Sequence, residues 1–420
     1  MSTMKGILRR AVLVGIAGAA GAASLVGVAR ADVASDKPGA ILIFPKIIVD
    51  SAGVLNGGVA VDTELQLVNA SNSLIGARCY IVNTTSHCSS DEQIACRTDL
   101  EGNPATRVCP IGDTCNVGWV MNDFDLILTK RQPISWRASQ GLPALPCDGI
   151  TRVCSGSNNL PGAGPSAIPP ASSDPFYGEI KCIEADPTTL NPSRGQNPAN
   201  GGEGDLFGNA TIVRTGSGGT VDAAKYNAIT LGAVGDASPD NILSIGPGVS
   251  GEYSGCPNFL LMDHLFDGAV VESHKVGGQP QVSTSVNTDL TVIPCSQDFN
   301  DPSNLGGATL QFLVYNEFEQ RFSTSTQFAC WREVQLSDID TRPGPTGNPQ
   351  SIFSAAVQGT IAGQTRIRPV AGATRANGIL AIAEEFWGST GPGGISTTAA
   401  NIHFVGVNET KGDQIVIPEN

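Results

Sequence analysis

Residue types suited to catalysis are scarce in this 420-residue sequence. It has four histidines, and aromatic residues make up only 5% of the chain. It also lacks the HExxH motif of zinc proteases, the GxSxG turn of esterases and the GxxxxGK[ST] loop that binds phosphate. Distant residues can assemble a catalytic site without a local motif. Enzyme activity therefore stays open, although we favour a role without catalysis.

Positive charge is also in short supply. The chain has 25 Lys and Arg against 39 Asp and Glu, a net charge of −14. Four of the basic residues lie in an N-terminal segment that we expect to be removed, which leaves 21 against 39, a net charge of −18. A chain this acidic repels nucleic acid and anionic lipid, so we expect no nucleic-acid partner.

One apolar segment stands at the N-terminus, and no later segment is apolar enough to span a bilayer. Basic residues precede the apolar segment 11–28, and Ala29-Arg30-Ala31 follows it as a small-x-small cleavage site. This layout predicts a signal peptide, residues 1–31, with cleavage before Asp32 and export from the cytoplasm. The alternatives are an uncleaved anchor and, because of Arg9-Arg10, export by the twin-arginine route.

The composition disfavours long helices, because the chain contains 50 glycines and 27 prolines. Several segments instead alternate apolar and polar residues with a period of two, between turn-forming residues. This pattern is typical of short antiparallel strands. We therefore predict an all-β protein built from antiparallel sandwiches.

The sequence has 11 cysteines but no CxxC pair, which argues against a zinc site. In an exported chain the default is disulfides. Eight cysteines precede residue 200, which predicts four bridges in the first part of the chain. Three cysteines follow it, which predicts one further bridge and one unpaired thiol. The pairing stays open. The cysteines are Cys79, Cys88, Cys96, Cys109, Cys115, Cys147, Cys154, Cys182, Cys256, Cys295 and Cys330. Local loops favour pairing Cys147 with Cys154, and pairing within the group from Cys88 to Cys115.

Several strand segments recur in the same order in the two halves of the chain. An apolar strand closed by proline, 41–45, is repeated at 290–294, and an alternating strand ending in asparagine, 63–69, is repeated at 309–316. A cysteine-bearing strand then follows in each half, at 77–82 and 328–331. Three weaker matches pair 124–128 with 353–357, 178–183 with 378–383, and 207–213 with 401–405. The shared order predicts an internal duplication.

The strand–Asn–turn–strand segments, such as Leu65-Gln66-Leu67-Val68-Asn69 leading to Cys79, resemble the immunoglobulin-like sandwiches of uncharacterised exported bacterial proteins. The resemblance implies fold and location only. We expect a first sandwich domain at 32–240 with cysteine-rich loop insertions, and a second sandwich domain at 241–420.

Candidate metal ligands occur together in one segment: Asp263, His264 and Asp267. They can converge on an ion if the segment turns tightly; the alternative is a strand pair with a turn at Asp267-Gly268. The acidic loops 298–301 and 338–340 offer oxygen ligands for calcium, although neither matches an EF-hand. We expect no other cofactor.

Carboxylate pairs for glycoside hydrolysis are available at Glu384-Glu385 and at Glu179 and Glu184, but each pair differs in strand parity and points to opposite faces. The four tryptophans each lie beside apolar residues, which favours core packing over a sugar-binding platform. They are Trp119, Trp136, Trp331 and Trp387.

The favoured function is structural or adhesive, at the cell surface or outside the cell. Partners are then further copies, other surface proteins or glycans. The alternatives are a module that binds carbohydrate or another ligand, and a secreted hydrolase with an unrecognised carboxylate site. Location in the periplasm also stays open.

Overall fold

Strands dominate the structure, a computed structural model in which 63% of the described residues lie in strands and 3% in helices. The described residues are 33–96, 109–116, 118–142, 168–192, 203–216, 218–234, 240–246, 252–272, 283–301, 306–340, 342–343, 349–370, 378–389, 395–407 and 412–418. Ala31–Asn420 forms one compact unit. The all-β prediction is therefore confirmed at the level of secondary structure.

The strands follow one another in chain order, and the bounds below cover the described residues. Those of the first half are β1 (Ile41–Val49), β2 (Ala60–Asn69), β3 (Ile75–Asn83), β4 (Ser86–Cys88), β5 (Asp91–Cys96), β6 (Cys115–Asn116), β7 (Val120–Leu128), β8 (Pro133–Arg137), β9 (Phe176–Ala185), β10 (Leu206–Thr215), β11 (Val221–Asn227) and β12 (Ile229–Leu231). Then come β13 (Ile242–Ile245), β14 (Pro257–Leu265), β15 (Ala269–Glu272), β16 (Ser283–Pro294), β17 (Gln297–Asp298), β18 (Gly307–Asn316), β19 (Arg321–Ala329) and β20 (Arg332–Gln335). The remaining elements are α1 (Leu336–Ile339), β21 (Arg342–Pro343), β22 (Pro349–Gln350), α2 (Ala355–Gln358), β23 (Ala362–Pro369), β24 (Ile379–Ser389), β25 (Ile395–Asn401), β26 (His403–Val407) and β27 (Asp413–Val416).

Two sheets make up most of the first half: β12-β1-β9-β3-β7 and β11-β10-β2-β8. They pack closely, because a Cβ at Gly208 of β10 would lie 2.9 Å from the Phe44 ring of β1. Every residue of β1 and β9 is buried, as expected of central strands covered on both faces. In β2 the pattern alternates, so that Leu65 and Leu67 point into the core.

The second half has two further large sheets, β19-β18-β23-β14-β26 and β15-β16-β24-β25, with β20 also paired to β16. A second apolar cluster contains residues of both, including Phe312 and Leu290. The first cluster extends across the halves, because it also contains Trp331 and Ile382. A small sheet, β13-β27-β17, has one parallel pairing, between β17 and β27.

Register agrees with part of the predicted repeat. Ile41 of β1 lies opposite Ile183 of β9, and Leu290 of β16 lies opposite Ala383 of β24. These are equivalent positions in the alignment of 41–45 with 290–294 and of 178–183 with 378–383. The outer pairings differ, because β3 joins β9 whereas β20 joins β16.

Two predicted strand segments are wrong. Residues 353–357 were expected to match strand 124–128, but Ala355–Gln358 is a short helix ended by Gly359 with φ of 66°. The segment 328–331 is not one strand either, since Cys330 has φ of 60° and separates β19 from β20. The chain passes from one sheet to another at this left-handed residue.

Four disulfides lie within the described residues: Cys79–Cys182, Cys88–Cys109, Cys96–Cys115 and Cys256–Cys295. The leftover thiol is Cys330, which is buried. The expected pair of Cys147 and Cys154 lies outside the described residues. Disulfides persist in oxidising compartments, so these bridges indicate a protein that works outside the cytoplasm. The two helices among the described residues have four residues each, too short to span a bilayer.

Candidate functional site

The predicted metal ligands do not come together. Asp263 and His264 are neighbours on β14, so their side chains point to opposite faces: Asp263 is exposed and His264 is buried. Asp267 is buried beyond the end of the strand. Among the described residues, the group of ligand atoms close enough to hold an ion is Cys88, Cys96 and Cys109, and all three are in disulfides.

His264 packs as a core residue. Its Nε2 lies 2.8 Å from Thr365 Oγ1 and its Nδ1 lies 3.1 Å from the Leu265 carbonyl oxygen. Its ring meets the Phe266 ring edge to face, with centroids 5.2 Å apart. Burial lowers the pKa of His264 to about 4, so the ring is neutral at physiological pH.

Asp267 holds two chain segments together. Its carboxylate accepts hydrogen bonds from the backbone N–H of Thr288 at 2.8 Å and of Ser337 at 2.7 Å. Burial raises its pKa to about 6, against the opposing effect of these hydrogen bonds. The Gln335 side-chain amide also donates to it at 3.3 Å, so its donors all come from neighbouring segments and its position is structural.

An open cleft of about 620 Å³ lies beside Asp263. Its lining includes Tyr315, Gln364 and Glu385, and Gln364 donates a hydrogen bond to Asp263 Oδ1 at 3.2 Å. An adjoining cavity shares Asp263 and Glu385 and adds His403. Three acidic residues, Asp263, Glu317 and Glu385, therefore line the cleft together with an aromatic ring and an amide.

The parity predictions for the glutamate pairs are confirmed. Glu385 lines the cleft, whereas its neighbour Glu384 is fully buried on the other face of β24. Glu179 contacts Lys181, and Glu184 accepts a hydrogen bond from the Asp205 backbone N–H at 2.7 Å. Burial raises the pKa of Glu184 to about 8, with a further contribution from Asp205.

A buried ionic network joins the two halves of the chain; we call it the junction network. Its members are Lys46 and Arg214 from the first half and Glu333 and Glu384 from the second. Lys46 Nζ lies 2.7 Å from Glu333 Oε1 and 2.7 Å from Glu384 Oε2. Arg214 Nη2 donates to Glu384 Oε2 at 2.8 Å, and its Nη1 donates to Glu384 Oε1. Glu384 is therefore held from both sides.

A β-bulge explains how Lys46 reaches the second half. Pro45 has no N–H to donate, and the pairing of β1 with β9 shifts between Phe44 and Ile47. The Tyr226 hydroxyl then satisfies the backbone groups of Lys46 that the bulge leaves unpaired in the sheet, accepting from its N–H at 3.2 Å and donating to its carbonyl oxygen at 2.5 Å. Trp331 Nε1 donates to the Pro45 carbonyl oxygen at 2.7 Å.

The charges in the junction network balance. Burial on its own lowers the pKa of Lys46, but Glu333 and Glu384 outweigh that effect and raise the pKa above its usual 10.5. Lys46 is thus a stable cation in a site without solvent. The two acids and two bases of the network carry no net charge among themselves, and the negative charge of Asp289 raises the pKa of Lys46 and of Arg214 further. Buried ions are tolerated when each is paired and hydrogen-bonded, as these are.

A second buried cluster surrounds Lys181 of β9. Its Nζ lies 2.8 Å from Glu179 Oε1 and donates to Gln297 Oε1 of β17. Burial raises the pKa of the nearby Cys330 thiol, and the negative charge of Glu179 adds to that effect. This cluster also spans both halves.

The other candidates take ordinary positions. Trp136 and Trp331 are buried and Trp119 packs against the core, as the core-packing interpretation predicted. Trp387 differs, because it is half-buried and lies outside both apolar clusters. Asp298 accepts a hydrogen bond from the Asn300 N–H at 2.9 Å within its turn, and Asp338 lies in α1; calcium at these loops stays a prediction. His274 lies outside the described residues.

Sequence reasoning missed Lys46, Arg214, Glu333, Lys181 and Gln297. A signal for the lysines was present, because each interrupts an apolar strand: Ile43-Phe44-Pro45-Lys46-Ile47-Ile48 and Ile180-Lys181-Cys182-Ile183. A charged residue at a fully buried strand position requires a partner. Glu179 is two residues from Lys181, but the other partners lie more than 100 residues away, so their identity could not be inferred from spacing.

The chain matches no protein-family model, and no curated protein is similar to it in sequence.

Proposed function

We propose that this protein is an exported structural or adhesive component that acts through its surface. The observation that carries the proposal is the junction network, in which Lys46 and Arg214 of the first half bind Glu333 and Glu384 of the second without access to water. Breaking such a contact leaves unpaired charges buried, which costs about 3–5 kcal/mol. A molecule whose halves are fixed in this way keeps its shape under load.

Disulfides add to the same resistance. Cys79–Cys182 joins adjacent strands of the central sheet, and Cys256–Cys295 ties the start of β14 to the end of β16. Cross-links of this kind favour a protein that persists in the oxidising environment outside the cell. They support placement at the surface or in the surrounding matrix.

Two immunoglobulin-like sandwiches related by duplication remain our proposal for the finer fold, with boundaries at 32–240 and 241–420 after a signal peptide at 1–31. The shared register of β1 with β9 and of β16 with β24 supports it. N-terminal sequencing of the exported protein tests the cleavage before Asp32.

Fractionation of the native host is the direct test of function, with each fraction run on reducing and non-reducing gels. The proposal predicts protein at the cell surface or in large assemblies that resist heat or need reduction to dissociate. A free monomer confined to the periplasm or the medium would contradict it.

The cleft beside Asp263 favours a second candidate, a module that binds carbohydrate. Asp263, Gln364 and Glu385 offer hydrogen-bonding groups beside the ring of Tyr315, the combination that sugar hydroxyls and sugar faces require. A glycan array tests this with the wild type and the double variant Asp263→Ala/Glu385→Ala. Binding that the variant loses supports the cleft, and turnover of a bound glycan would instead identify a hydrolase.

A further inference from the structure

Lys181 lies at the centre of a strand that is buried along its whole length. On the sheet it lies opposite Ile43 of β1 and opposite Tyr80 of β3. The Tyr80 ring stacks on the Phe299 ring with centroids 4.5 Å apart, which closes the region near β17. The Lys181 amine is therefore enclosed by aromatic and aliphatic groups, where water does not compete for its contacts.

Two side chains face this amine, and they differ in chemistry. Glu179 is two residues earlier on the same strand, so it points to the same face, and its Oε1 is 2.8 Å from Lys181 Nζ. Gln297 comes from the second half and accepts a hydrogen bond from Nζ through its side-chain carbonyl oxygen. An amine, a carboxylate and a carboxamide are thus in mutual reach inside the protein.

The hydrogen bonding of this group is incomplete. Within the described part of the chain, Gln297 Nε2 and Glu179 Oε2 are buried and have no hydrogen-bond partner. Buried polar atoms are nearly always paired, and an orphan atom signals strain or a chemical role. Here the orphan nitrogen is the one that leaves when an amine attacks the carboxamide.

We propose that Lys181 and Gln297 join in an intramolecular isopeptide bond, with Glu179 transferring the protons. Glu179 takes a proton from the Lys181 ammonium, and the free amine attacks Gln297 Cδ. The new Nζ–Cδ bond forms and the Cδ–Nε2 bond breaks. One hydrogen stays on the new amide, and the former Nε2 departs as an ammonium ion.

The reaction is balanced without any further reactant. The ammonium and the carboxamide bring five nitrogen-bound hydrogens, of which one remains on the amide and four leave with the ammonium ion. Glu179 begins and ends as a carboxylate, so it acts as a general base and then a general acid. No oxidant, metal or nucleotide is needed, because the fold holds the groups in position.

Lys46 provides a contrast inside the same molecule. It is equally buried and contacts two carboxylates, Glu333 and Glu384, and none of its hydrogen bonds is to a carboxamide. A carboxylate without activation does not accept an amine. The junction network therefore stays ionic, while the Lys181 cluster becomes a covalent link between the two halves.

Mass spectrometry of the full-length, folded protein tests the proposal after reduction and alkylation. The expected intact mass is lower than the sequence value by one ammonia. Proteolysis should yield a branched peptide containing Lys181 and Gln297, with cleavage by trypsin blocked after Lys181 and retained after Lys46. A thioester between Cys330 and Gln297 would also release ammonia, but it would consume the Cys330 thiol. An isopeptide bond leaves that thiol free, so Cys330 should be fully alkylated.

Variants separate the chemistry from the fold. Gln297→Met removes the carboxamide, so the ammonia loss and the branched peptide should both disappear, and Glu179→Ala should at least greatly reduce them. A wild-type protein of unreduced mass with separate Lys181 and Gln297 peptides overturns the proposal without any variant. Ammonia loss that maps to another pair of residues overturns it as well. The mass measurement does not depend on where the protein is located. The isopeptide proposal can therefore fail while the proposed function stands.

Discussion

Glu184→Gln should make this protein more stable at alkaline pH and leave it unchanged at acid pH. Burial of the Glu184 carboxyl, aided by Asp205, raises its pKa from 4.5 to about 8. Folding therefore favours the protonated form. The replacement amide keeps an oxygen for the Asp205 N–H, which now lies 2.7 Å from Glu184 Oε2.

The sign and size of the effect follow from proton linkage. Because the folded pKa is raised, the contribution of Glu184 to stability is fully present below pH 4.5 and is lost as the pH rises to about 8. Each tenfold change in proton affinity is worth about 1.4 kcal/mol, so the wild type loses roughly 4–5 kcal/mol over this range. Glutamine does not titrate and avoids the loss.

Urea denaturation of both proteins at pH 4, 6 and 9, followed by tryptophan fluorescence, measures the difference. The variant should gain a few kcal/mol at about pH 9, less at pH 6 and nothing at pH 4. The matched control is Glu317→Gln at an exposed position, which should be neutral throughout. An equal difference at all three values, or no gain at pH 9, would refute the reasoning.

Three more substitutions test the contacts between strands, each by urea denaturation against the wild type. Lys46→Met leaves a buried negative charge and should cost about 3–5 kcal/mol, whereas adding Glu333→Gln restores neutrality and should recover part of it; a cost below about 1 kcal/mol would contradict the junction network. Cys79→Ala with Cys182→Ala opens a bridge with a sequence separation of 103 and should lower stability by about 3–5 kcal/mol under oxidising conditions, and equal stability would show that the bridge is dispensable. Trp331→Phe leaves the Pro45 carbonyl oxygen without its hydrogen-bond donor and should lower the free energy of unfolding by about 1–3 kcal/mol. No loss of stability would mean that water replaces the indole.

Local alternation of apolar and polar residues was sufficient to predict several of the strands. The alternation in β2 and β18 could be recognised because side chains on a strand alternate between faces. The continuous apolar character of β1 indicated a strand buried on both faces. The same rule placed Glu384 and Glu385 on opposite faces. It failed at 353–357, because that apolar segment is short enough to suit a helix or a strand.

Long-range partners could not be predicted in this way. Lys46 and Glu384 are 338 residues apart, and no periodicity within one strand specifies a partner at that distance. The metal hypothesis failed for a related reason: Asp263 and His264 are adjacent in sequence, but adjacency on a strand separates side chains. Gln297 reaches Lys181 from a different sheet, so packing between sheets brings the two side chains together.

The junction network sorts charge by origin: its cations come from the first half and its anions from the second. If two copies of the first half met through this surface, the cations Lys46 and Arg214 of one copy would face those of the other. If two copies of the second half met, carboxylates would face carboxylates. Contacts of this kind between like charges disfavour pairing of a half with its own copy, whereas the opposite charges favour pairing of one half with the other.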